Sequence, residues 1–479
     1  MSALLTARGV IGHPGANAVV IDDDRVVAIG AAGDLSASRS ISHDGYLGAP
    51  RHDHHFHPFG YAGSVLGLSL KQAGSFAGLS QAVRNAAAAI APGEALVGNR
   101  LDDEALTERK LPTRLDLDMW SGSTPTLLLR YCGHLAVANS AALDLAGLTD
   151  HPDGILRETE IVPITEALAP LRPQLDQGEV TRALAGLAGL GLGKITAIVS
   201  ATDPLWCEVD DEIGTLIEIA PALPFDIEVL VIAASPPELR DAAEQIRTAQ
   251  LDNLTFFGWK EFADGALGAH TAALHEPFSD DPGNRGILRL DREHAEAMAR
   301  TCLDLDGTIA IHAIGDAANE EVLSFFAGLV EHGASSRHLR IEHASMLTEA
   351  ARGLMAALGV TASVQPSFIT SEVDWLAARV GDRVGYTYAL AAMEEAGISL
   401  LGGSDCPVES PNPWPAIAAA VGSGLSPESA YLLYGPSLQV GDTANLIETE
   451  SDDIGGANRV ISVYRHGEPI ELSPTLELI

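Results

Sequence analysis

Short apolar runs alternate with longer stretches rich in Ala, Leu, Glu and Arg through the middle of this chain. The runs fall at residues 195–199, 227–232, 254–260, 308–312, 339–343, 360–364 and 398–405. Each has the length and apolar content of a strand, and the stretches between them have the composition of helices. Alternation of this kind predicts parallel strands joined by covering helices, an α/β fold. One more strand just before His55 makes eight, the number that closes a (β/α)8 barrel of the TIM type. More than a hundred residues separate the first of these strands from the second, far beyond an ordinary loop. That insertion, about residues 60–180, is predicted to form a cap over the barrel mouth.

The two ends of the chain read differently. Residues 18–22 and 25–30 are short strands split by a polar turn, and residues 444–448 and 459–465 repeat the pattern near the other end. Both termini are therefore expected to build one small β-sandwich, from residues 1–48 and 433–479, around a barrel domain of residues 49–432. There is no internal repeat or low-complexity tract.

Composition narrows the partners. The chain has 46% hydrophobic and 20% charged residues and a net charge of −36. Nucleic acid and anionic membrane surfaces would be repelled, so a small-molecule substrate is expected. A homodimer is compatible with the sequence. The four cysteines (Cys132, Cys207, Cys302, Cys406) are far apart and form no C-x-x-C pair, which fits a reducing cytoplasm. The first residues lack a basic start and a continuous apolar stretch, so no signal peptide is expected. The most membrane-like stretch, residues 184–201, is broken by glycines and carries Lys194.

Barrel active sites lie at the C-terminal ends of the strands. Those ends hold His55 and His57, then Lys260, His312, His343 and Asp405. His55 and His57 stand two apart, so on a strand they point the same way, and paired imidazoles suit zinc. Singly, each has an ordinary explanation. A histidine can bond a backbone carbonyl, a lysine can lie along the surface, and an aspartate can cap a helix. Six such residues at successive strand ends are a different matter, and Lys260 is one of only four lysines in the chain.

In these motifs the chain resembles the metal-dependent amidohydrolase superfamily, in its YtcJ-like branch. The resemblance is carried by Asp53-x-His55-x-His57, by residues 259–268 around Lys260, and by Ile311-His312-Ala313-Ile314-Gly315-Asp316. Arg340-Ile341-Glu342-His343 and Gly403-Ser404-Asp405-Cys406-Pro407 add to it, as do residues 129–143 and 154–158 in the cap. It implies that His55, His57 and Asp405 hold one metal and His312 and His343 a second, with carboxylated Lys260 as the bridge. Zinc is the expected ion, as one or two per chain. A metal-activated hydroxide would attack, with Asp405 moving the proton.

Arg130, His134 and Glu158 from the cap, and His270, are expected to contact substrate. Asp264 and Asp316 are expected to support the metal site, and Arg340 and Glu342 to pair within the barrel. The chain departs from the family pattern at residues 49–52, where Ala-Pro-Arg-His replaces Pro-Gly and two apolar residues. That puts the register of the first strand and the roles of His52 and His54 in question. His270 stands where relatives often carry arginine, and Asn445 where an aspartate is common.

Competing motifs fail. Residues 189–195 lack the glycine and hydroxyl residue of a phosphate loop, Thr196 stands in place of the third glycine of a dinucleotide fingerprint, and there is no nucleophile elbow. The expected activity is hydrolysis of a non-peptide C–N bond of amide, N-formyl, carbamate or urea type. Its rivals are a metal-dependent deaminase of an aminated heterocycle and a non-catalytic ligand-binding barrel. Deaminase relatives place a glutamate three residues after the fifth-strand histidine, where this chain has Gly315.

Overall fold

The computed structural model describes residues 2–201, 209, 211–456 and 458–476; Cys207 lies outside the described residues. Eight parallel strands form the central sheet: β1 (Arg51–Phe56), β2 (Leu192–Ser200), β3 (Asp226–Ile232), β4 (Leu254–Phe262), β5 (Thr308–Ala313), β6 (Leu339–His343), β7 (Thr361–Val364) and β8 (Leu400–Gly402). They follow one another in chain order, each pairing with the next. The ring closes just beyond the last one, where Phe56 bridges Cys406 and Asp405 N donates to the His55 carbonyl at 2.8 Å.

These segments become strands because both of their faces are covered. All six residues of β5 are buried, as are all five of β6, so their sequences read as near-continuous apolar runs. The covering helices show the complementary pattern. In Arg292–Asp304, Asp291 caps the first turn by accepting from Glu293 N and His294 N, and Ala295, Met298, Ala299 and Cys302 form the buried stripe.

The first strand resolves the question of its polar start. Arg51 lies within β1 and is fully buried, stacked 3.9 Å from the Tyr431 ring. Its guanidinium donates to the carbonyls of Ala49, Tyr431, Gly435 and Pro436, so no donor-rich group is stranded. Further along, β1 gains one residue on β2: Asp53 pairs with Ile195 and Phe56 with Ala197. This bulge re-aims the strand. His52 and His54 stack on each other at 3.6 Å, and His52 reaches Thr196 on β2. His55 reaches Glu342 on β6. Strict alternation would put these two histidine pairs on opposite faces, yet both face the barrel interior.

The insertion after β1 carries its own five-stranded sheet, from Leu68–Ser69 to Ile155–Arg157, with helices on it. At the termini there are two sheets. One is built from four N-terminal strands, and the other joins Gly9–Val10 and Tyr46–Gly48 to Leu446–Thr449, Val460–Arg465 and Glu468–Pro469. Leu5, Val19, Ile21 and Leu47 share one buried cluster with Leu446 and Tyr464, which holds the two sheets together. Among the described residues no helix is long and apolar enough to cross a membrane.

Gly258 on β4 pairs with Thr308 on β5, and an added Cβ there would overlap the backbone of Thr308. Gly258→Ala should therefore destabilise the barrel by about 1–3 kcal/mol, the usual cost of overpacking. A thermal unfolding midpoint unchanged from wild type would contradict this close packing.

Candidate active site

The C-terminal ends of the strands meet the cap around a cavity of about 180 Å³. His55, His57, His312, His343 and Asp405 line it from the barrel, and Arg130, His134 and Glu158 from the insertion. The ligand-type side chains converge on Asp405. His55 Nε2 lies 3.1 Å and His57 Nε2 3.2 Å from its Oδ1. One ligand atom each from His55, His343 and Asp405 lies within 4.8 Å of the others.

The hydrogen bonds around this group fix which nitrogens carry lone pairs. Glu342 Oε2 accepts from His55 Nδ1 at 2.6 Å, so Nε2 is the nitrogen left to face Asp405. A lone pair facing a carboxylate oxygen needs a proton or a cation between them. His312 Nε2 donates to the Gly265 carbonyl at 3.1 Å, which leaves its Nδ1 as the acceptor. His343 Nδ1 is buried with no hydrogen-bond partner. Convergent imidazoles, a carboxylate and an orphaned ring nitrogen suit a divalent transition ion.

Electrostatics agree with that chemistry. Burial, helped by the Lys260 and His134 charges, holds His312 neutral, and burial with His312 and His55 nearby does the same for His343. Burial alone would push the Asp405 carboxyl up, but the His55 charge and hydrogen bonds from His55 and His57 hold it well below the usual range. Burial brings the Lys260 ammonium down to about 8 despite the pull of Glu342 and Asp405. Lys260 is buried, 3.7 Å from the Phe262 ring centre, and Nζ donates to the Glu261 carbonyl at 3.2 Å.

Backbone strain collects at the same place. His343, Ala344 and Asp405 have φ of 70°, 47° and 55°, and Glu158 has 48°. Non-glycine residues hold such angles only where their surroundings fix them. At Asp405 those surroundings include Asp53, which accepts from Ser404 N at 3.0 Å and Ser404 Oγ at 2.5 Å and so ties the start of the loop to β1.

In the cap, Glu158 joins both sides of the cavity. Its Oε2 accepts from His134 Nδ1 at 3.0 Å and from Arg289 Nη1 at 2.9 Å. Arg130 is buried against Tyr131 and donates to Asp103 at 2.6 Å. His270 goes elsewhere. It pairs with Asp280 at 3.1 Å, packs on Phe278, and does not line the cavity. Asp264 accepts from the backbone N–H groups of Ala273, Ile314 and Gly315 and stands 3.4 Å from His312 Nε2. Asp316 binds His275 N and Tyr386 instead, outside this group.

Three features were missed in the sequence. Glu342 does pair with Arg340, but it also orients His55. Arg289 enters from a stretch without a motif. Phe368, Glu372 and Tyr388 line the cavity from the region after β7, and their place beyond a strand end was the available signal.

Residues 46–439 match the model described as "Amidohydrolase family". The chain is similar to the protein YtcJ of Bacillus subtilis (strain 168), 29% identical over 411 residues that cover 81% of this chain and 74% of that one. It is also similar to an N-substituted formamide deformylase of Arthrobacter pascens, 23% identical and covering 71% and 68% of the two chains. Among solved structures, it is similar to an uncharacterized metal-dependent hydrolase from Pyrococcus horikoshii OT3. The TM-score is 0.74 at 25% identity, covering 98% of this chain and all of that one.

The Glu158 carboxyl gives a pH test. Burial pushes it up, but His134 and Arg289 outweigh burial and bring it down to about 2 from 4.5. A lowered carboxyl contributes stability that is complete above its unfolded value and lost as pH falls through its folded one. Wild type should thus lose stability between about pH 4.5 and 2 more steeply than Glu158→Gln. Identical acid-unfolding curves for the two proteins would count against this pairing.

Proposed function

The chain belongs to the amidohydrolase family and is a metal-dependent hydrolase, and from that premise we propose that it cleaves a non-peptide C–N bond in a small molecule. The observation that carries this reading is Gly315. Deaminase relatives place a glutamate at this position, three residues after His312. An added Cβ at Gly315 would overlap the Ala273 carbonyl, so no glutamate side chain fits. The Arthrobacter relative, named as a formamide deformylase, points the same way. Amides, formamides, carbamates and ureas share the chemistry.

His55, His57, His312, His343 and Asp405 would hold divalent metal, with Lys260 as a carboxylated bridge. When bound, such an ion lowers the pKa of a water and polarises a carbonyl oxygen. The chain's own residues do the rest. Asp405, kept anionic by His55 and His57, takes the proton from the attacking water and gives it to the departing nitrogen. Glu342 fixes the tautomer of His55. His134, held in place through Nδ1 by Glu158, lines the cavity beside His312. Arg130 shapes the wall beside it. The cap walls the cavity opposite the strand ends. The products are an amine and a carboxylate, or formate from a formamide.

Lys260 suits carboxylation because its buried amine, near 8, is partly unprotonated and so nucleophilic toward carbon dioxide. Elemental analysis of protein purified without chelator should find about one or two divalent ions per chain. Lys260→Ala should lower that content, and wild type free of stoichiometric metal would refute the assignment.

Asp405→Asn keeps the shape but cannot take a proton. At matched metal content it should slow turnover of a formamide or amide by about two orders of magnitude or more. The deciding assay is product analysis across N-acyl, N-formyl, carbamate and aminated-heterocycle substrates. Ammonia from heterocycles with no amide-type cleavage would select the deaminase instead.

A further inference from the structure

We propose that Glu372 selects the substrate by binding a protonated amine, or a comparable organic cation, at the end remote from the bond that breaks. This rests on the hydrolase reading above and adds the substrate class: elongated, cationic amides. An aromatic wall runs from the metal-ligand side of the cavity toward Glu372. The Phe368 ring lies parallel to His343 at 6.2 Å and 9°, and the Tyr388 ring stands edge-on to Phe368 at a further 6.2 Å. The Tyr388 hydroxyl then donates to Glu372 Oε2 at 2.6 Å. Phe368, Glu372 and Tyr388 all line the cavity.

Glu372 is 8% exposed and, among the described residues, forms no ion pair. Arg130 and Arg379 act on it through charge alone, and each forms its ion pairs elsewhere. Arg130 donates to Asp103, and Arg379 to Asp280 at 2.8 Å and Glu104 at 2.9 Å. Glu409 adds a second negative group. Burial first, and Glu409 after it, push the Glu372 carboxyl up to about 7 against the hydrogen bond from Tyr388 and the Arg130 and Arg379 charges. Burying a carboxylate with one neutral donor is costly, and a ligand cation supplies the missing charge. The aromatic faces suit the alkyl or aryl spacer and attract the cation as it passes. A net charge of −36 raises the local concentration of cations.

The test uses metal-loaded enzyme and two matched probes, hexylamine and hexanol, titrated by calorimetry. Wild type should bind the amine about tenfold or more tightly than the alcohol, and Glu372→Gln should erase that preference. Tyr388→Phe removes a donor that favours the ionised carboxyl, so it should weaken that preference without erasing it. Equal binding of both probes by wild type, or an amine preference that survives Glu372→Gln or vanishes in Tyr388→Phe, would overturn the proposal. Turnover gives a second readout. For an N-formyl diamine, Glu372→Gln should raise KM about tenfold with kcat little changed, while the matching N-formyl amino alcohol is unaffected. Should neither formamide be cleaved while amine binding still depends on Glu372, the hydrolase reading fails and the cation site stands.

Discussion

Barrel closure and assembly of the ligand group are one interaction at Asp405. Its backbone N–H donates to the His55 carbonyl, and the next residue's carbonyl accepts from His57 N, so the chain zips β1 to the end of β8. Its side chain meets the imidazoles of the same two residues. Strand β8 has only three residues, and this short seam joins the last strand to the first. The positive φ at Asp405 turns the carboxylate back over the barrel. Removing the geometry of the seam removes the geometry of the site.

The cap depends on a second charged junction. Glu158 and His134 come from the insertion, Arg289 from the segment after β4, and the carboxylate between them fixes how the two parts meet. Because Glu158 is 8% exposed, solvent screens this junction little. The cavity is thus bounded on one side by groups that hold charge for chemistry and on another by groups that hold charge for shape. Both are made of the same residue types, which is why a single histidine or glutamate says so little.

The sequence was most informative where chemistry and topology repeat one another. His312 and His343 could be placed because each closes a long apolar run, and the parallel order of the strands then brings their ends together. His270 was placed by the resemblance instead, as a position where relatives often carry arginine, and it turns to Asp280 in the long segment after β4. Arg51 was hard to read for a different reason. Its four carbonyl partners lie mostly some 380 residues away, and nothing local reveals them. Nor could the bulge between Asp53 and Phe56 be seen, since one extra residue leaves no compositional trace. Glu372 was invisible because an acidic residue on a helical stretch is normally a solvated one.

Gly315 also bears on what this barrel can become. The backbone of Ala273 occupies the space where any side chain at residue 315 would begin, and Asp264 holds that backbone in place through the N–H groups of Ala273 and Gly315. A side chain at residue 315 therefore requires the loop after β4 to withdraw before it can arrive. Point substitutions arising singly would meet a fold that is damaged before it is useful. What this strand end can carry is set by where a neighbouring peptide lies, not by the strand itself.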